Sequence, residues 1–125
     1  MLKTKASFRI SGALDPDKIT QLLAISPSYT HRKGEPDRFG EMIRSNIWVL
    51  KSELGDGSSL EEQIQSLFDK MNHKSDVIKN VDASCRLDIF CSITSTGESG
   101  FSLTPKLLSV ISELNVNLEV SIIAA

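Results

Sequence analysis

The stretch CRLDIFCSIT, residues 85 to 94, sets Leu87, Ile89, Cys91 and Ile93 on one side of an extended chain. Arg86, Asp88, Phe90 and Ser92 fall on the other. Side chains of a strand alternate between faces, so only one side of this segment is suited to burial. The segment ASFRISG repeats the pattern, with Ala6, Phe8 and Ile10 against Ser7, Arg9 and Ser11. So does NVNLEVSIIAA, with Val116, Leu118, Val120 and Ile122 against Asn117, Glu119 and Ser121. A sheet covered on both sides needs near-continuous apolar strands instead. The expected sheet therefore has one apolar and one polar face, and the helices must share the apolar one.

Local signals place the remaining elements. Asp15 suits a helix N-cap and Pro16 the first helical position, with Ile19, Leu22 and Leu23 on one face and Ser26-Pro27 as the stop. SYTHRKGEP predicts a weak strand running into a turn at Gly34-Glu35-Pro36, and RSNIWVLKSEL a firmer strand around Trp48. After the loop GDGSS, Ser59 and Glu62 have capping-box spacing ahead of a stripe of Leu60, Ile64, Leu67, Phe68 and Met71. The pattern falters over 72–75, where Ser75 is placed to cap a short continuation carrying Val77, Ile78 and Val81. Thr104-Pro105 opens a last helix with Leu107, Leu108, Ile111 and Leu114. The order β-α-β-β-α-β-α-β predicts an α+β fold, a two-layer sandwich with its helices on one face of the sheet. Its first six elements match a ferredoxin-like split β-α-β core, with a helix and a strand appended. At 125 residues, one domain over 1–125 is expected.

Charge and cysteine usage narrow the function classes. A formal charge of −2 gives no global basic field, so nucleic acid is not an expected partner. The N-terminal MLKTKASFRISGAL has no signal-peptide core, and no run approaches the roughly 18 apolar residues of a membrane span. Cytoplasmic localisation without membrane attachment is the resulting expectation. Cys85 and Cys91 lie six apart on one expected strand, roughly 20 Å at about 3.3 Å per residue, so both are expected as free, buried thiols. His31 and His73 are isolated and no C-x-x-C occurs, so neither a metal site nor a cofactor is expected. There is no G-x-S-x-G elbow, and STGESG lacks the lysine and spacing of a phosphate loop. Glu61-Glu62 has its explanation in the first turn of a helix, where the dipole favours negative charge.

Two candidate sites remain. The loop YTHRKGEPDRFG, residues 29–40, offers Tyr29, His31, Arg32, Lys33 and Arg38. It reads first as a solvated structural turn and second as a contact loop for a protein or small anion. Residues 31–44 hold four cations against three carboxylates, too small an excess for a nucleic-acid footprint. The second candidate is the polar sheet face, where Arg9, Arg86, Asp88, Phe90 and Glu119 are expected to project; it reads first as ordinary solvated sheet and second as a docking or homodimer surface.

The strings SFRISGALDPDKITQLLAISPSYTHRKGE, IWVLKSEL, LEEQIQSLF and GFSLTPKLLSVISELNVNLEVSI together resemble the bacterial family called domain of unknown function 4279. The resemblance covers nearly the whole chain and implies a stand-alone intracellular domain. It carries no catalytic or ligand residues with it. With no catalytic constellation, the leading expectation is a non-enzymatic protein-binding module, in its sharpest form an immunity-type inhibitor of a toxin domain. A small-molecule sensor or enzyme using the 29–40 loop is the alternative, followed by a structural homo-oligomer.

Overall fold

The structure, a computed structural model, describes residues 2–71, 74–98 and 100–124. Strand β1 (Leu2–Gly12) sits at the middle of a five-stranded mixed sheet because both its edges are used. It runs antiparallel to β3 (Asn46–Lys51) on one side and to β4 (Arg86–Ser95) on the other. The short β2 (Tyr29–His31) pairs antiparallel with β3, and β5 (Asn117–Ala124) pairs parallel with β4, giving the order β2-β3-β1-β4-β5. A parallel pair needs a crossover, here supplied by helix α4 (Pro105–Leu114). The other helices are α1 (Pro16–Leu23), α2 (Leu60–Lys70) and α3 (Ser75–Lys79), four in all among the described residues.

Each long helix begins where local chemistry satisfies its free N–H groups. Asp15 accepts from the Asp17 N–H ahead of Pro16, and Thr104 accepts from Leu107 N–H ahead of Pro105. Ser59 and Glu62 form the full reciprocal capping box of α2. Two ends differ from the sequence reading. Helix α1 stops at Leu23 rather than at Ser26-Pro27, because Ala24 turns left-handed at φ 54° and its N–H bonds Thr20 O. The short α3 starts one residue earlier than expected, with Lys74 and not Ser75 at the N-cap.

The even positions of β1 (Ala6, Phe8, Ile10) join Trp48, Leu50, Ile89, Cys91 and Ile93 in one apolar layer. Buried side chains of all four helices, including Ile19, Leu67, Ile78 and Ile111, belong to the same cluster. Trp48 is fully buried, stands edge-on to Phe8 at 6.3 Å, and donates its indole N–H to Thr20 Oγ1 at 3.0 Å. Buried Gln63 of α2 fastens the second layer to the first. Its amide donates to Thr4 O at 3.0 Å and to Gly55 O at 2.9 Å, and its oxygen accepts from Ser52 Oγ.

Several expected core residues lie outside this layer. Leu22 and Leu108 are exposed, since each sits at the margin of its helix's apolar stripe. Leu118 and Val120 are only half-buried and Ile122 is exposed, because β5 is an edge strand with one flank uncovered. Cys85 precedes β4 in a turn closed by its N–H to Asp82 O and is half-buried, whereas Cys91 is fully buried. Both are free thiols, and burial pushes the Cys91 pKa up to about 12. His73 lies outside the described residues.

Candidate functional site

The strand pairings bring five candidate residues to one place. Odd positions of β1 face away from the helices, and Arg9 pairs with Asp88 of β4, which in turn pairs with Asn117 of β5. Phe90 and Glu119 are themselves a cross-strand pair, one step along. Arg9 reaches across with both ends of its fork, Nε to Asp88 Oδ1 at 2.7 Å and Nη2 to Asp88 Oδ2 at 3.0 Å. The second nitrogen also contacts Glu119 Oε2 at 3.2 Å, while Arg86 contacts Glu119 directly and Asp88 at 3.6 Å. The Arg9 guanidinium lies 4.4 Å from the centre of the Phe90 ring, a cation–π geometry. Its pKa is raised, first by the Asp88 hydrogen bond and then by nearby carboxylate charge.

This alternating Arg/carboxylate network buries Asp88 to 4% exposure on a face expected to be solvated. A shallow depression of about 210 Å³ lies over it, lined by Arg9, Ser11, Ile47, Arg86, Asp88 and Glu119. No donor or acceptor there is clustered as a metal set, and among the described residues no such group of His, Cys, Asp and Glu occurs.

The 29–40 loop divides between two settings. Tyr29 pairs with Val49 and His31 with Ile47, so both aromatic rings join the open face, edge to face with each other at 5.2 Å. Lys51 Nζ sits 5.1 Å from the Tyr29 ring, which makes the two sequence candidates parts of one surface. Arg32 points elsewhere. Its guanidinium is held by Asp15 at 2.9 Å and Asp17 at 2.9 Å, at the N-terminus of α1. The Asp15 carboxyl is held below the usual range, first by the Asp17 N–H and then by Arg32. Lys33 gives its backbone N–H to Asn46 Oδ1, another stitch between loop and sheet.

Beyond Lys33 the chain forms a small hairpin not foreseen from sequence. Gly34 N–H bonds Ile43 O, Ile43 N–H bonds Glu35 O, and Asp37 N–H bonds Glu41 O. At its tip the Asp37 carboxylate accepts from Phe39 and Glu41 N–H groups, and Gly40 takes φ 81°. This turn holds Phe39 out at 76% exposure, with Arg38 stacked 4.8 Å from its ring. Asp37 and Gly40 were the legible signal for it.

The open face is also the cationic side of the chain. Strand residues on it supply Lys3, Lys5, Arg9, Lys51 and Arg86 against Asp88 and Glu119, five cations to two carboxylates. The chain as a whole carries −2. Because Arg9 and Arg86 already engage both carboxylates, the surplus rests on three exposed lysines.

These features define an α+β domain with an open mixed sheet whose helix-free face is polar and net cationic. A family model described as Domain of unknown function (DUF4279) matches residues 2–125, and the chain belongs to that family. No curated protein and no solved structure matches it.

Proposed function

We propose that the chain is a non-enzymatic protein-binding module that docks through its open sheet face onto an acidic surface of its partner. The carrying observation is the charge imbalance of that face on an acidic chain, centred on a preorganised Arg/carboxylate network. Preorganised side chains lose little entropy on binding, and complementary charge raises the encounter rate. Phe90 and Tyr29 add apolar contact area of the kind that anchors interfaces. An immunity-type inhibitor of a toxin domain is the sharpest form of this reading. Three scattered lysines without a row of stacking aromatics favour a protein over nucleic acid.

The order β2-β3-β1-β4, with each neighbouring pair antiparallel, supports a ferredoxin-like core to which α4 and β5 are appended. Placement in the cytoplasm is supported by the two free thiols. No helix among the described residues is long and apolar enough to cross a membrane.

The test is calorimetric titration against each protein encoded by the genes beside this one, with growth rescue on co-expression for any of them that is toxic. Wild type is expected to bind with an affinity that falls as salt rises. Lys5→Glu with Lys51→Glu is expected to weaken it at least tenfold while leaving the fold intact. No complex, a complex indifferent to these substitutions, or salt-sensitive retention of RNA or DNA instead would refute the proposal.

A further inference from the structure

The two margins of the sheet are treated differently. At one, β2 is three residues long and gives way to the Gly34–Ile43 hairpin, so it offers little backbone to a stranger. At the other, β5 runs for eight residues with no lysine, no proline and no bulge in its ladder to β4. Among the described residues, no backbone hydrogen bond joins β5 to anything except β4. Its outward N–H and C=O groups are therefore free to pair. Its side chains are also unfinished: Leu118 and Val120 are half-covered, and Ile122 is 67% exposed. The single charge, Glu119, is already engaged by Arg9 and Arg86.

We propose that this edge pairs with β5 of a second copy of the chain, antiparallel about a two-fold axis at Val120. The axis stands perpendicular to the sheet, so helix faces continue helix faces. It sets Val120 against Val120, Leu118 against Ile122, Glu119 against Ser121 and Asn117 against Ile123. No like charges meet, and Ile122, which has Ile93 of β4 on one side, gains an apolar neighbour on its uncovered flank. A centre at Glu119 would oppose two carboxylates, which disfavours that register. One strand pair covers less than the roughly 800 Å² per partner of a standard interface, so a weak, concentration-dependent dimer is expected. Its two open faces point the same way.

Sedimentation equilibrium on the 125-residue chain, from about 10 to about 500 μM, tests this. The mass is expected to rise toward the dimer, with the β5 amides gaining hydrogen-exchange protection over the same range. Ile122→Lys, at a residue largely in solvent, is expected to raise the dimer Kd at least tenfold with an unchanged Tm. Ile122→Thr keeps the β-branched shape and is expected to act in the same direction less strongly. A monomer throughout overturns the proposal, as does a dimer indifferent to both substitutions. Protection of β5 only on addition of another protein's extended segment overturns it equally.

Discussion

Replacing Gln63 by leucine is expected to destabilise the protein although leucine is the more apolar residue and the site is 1% exposed. The glutamine amide bonds Thr4 O and Gly55 O, and its oxygen accepts from Ser52. Leucine provides none of these. Gly55 is exposed, so its carbonyl turns to water at little cost. The carbonyl of buried Thr4 and the hydroxyl of half-buried Ser52 have no such recourse. Stranding a buried polar group costs about 1–3 kcal/mol, so the two together cost about 4 at mid-range, and the added apolar contact offsets about 1–2. The net is about 2–3 kcal/mol, a large share of the roughly 5–15 that holds a domain together. With a urea m of about 2 kcal/mol/M, the midpoint should fall by about 1–1.5 M. Gln65, two residues on and exposed, serves as the control: Gln65→Ala should move it by less than about 0.5 kcal/mol. Equal midpoints for wild type and Gln63→Leu would show that the three contacts contribute nothing net, and would refute the reasoning.

Truncating Leu67, which is fully buried, should cost about 3–5 kcal/mol in the same assay at low protein concentration, whereas Leu118→Ala on the half-covered edge should cost about half as much; equal losses would mean that β5 is covered. Cys91 should resist a thiol reagent until denaturant is added. Its raised folded pKa makes its contribution complete below the unfolded value near 9, and lost as pH climbs toward about 12. Wild type should therefore lose about 1 kcal/mol more than Cys91→Ala between pH 8 and pH 10, and parallel curves would contradict the burial argument.

What could be read in the sequence was what neighbouring residues decide among themselves. Asp15-Pro16, Ser59 with Glu62, and Thr104-Pro105 start their helices by chemistry complete within four residues, and strand alternation assigned Arg9, Asp88, Phe90 and Glu119 to one face. What could not be read depends on strand order and register. Nothing in NLEVSIIA says that it ends up on a margin, so Leu118, Val120 and Ile122 looked like core. Tyr29 and His31 join Arg9's surface only through the pairing of β2 with β3. Gln63 differs from a solvated glutamine only because the 55–58 loop and β1 converge on it. Arg32 looked available because its two carboxylates lie across the chain reversal, at the start of α1.

The central place of β1 has a consequence for the order in which the chain can assemble. Arg9 and Asp88 are 79 residues apart, and the β1–β4 ladder joins the N-terminal strand to the last third of the chain. Closing so long a loop costs entropy before any contact repays it, which places such topologies among slower folders, on the millisecond-to-second scale. During synthesis β1 emerges first and pairs on one side once β3 is out, yet its other edge stays open until β4 clears the ribosome. The half-sheet of that interval exposes Phe8 and Ile10 beside an unpaired edge, so this is the stage at which a nascent chain is most exposed to misassociation.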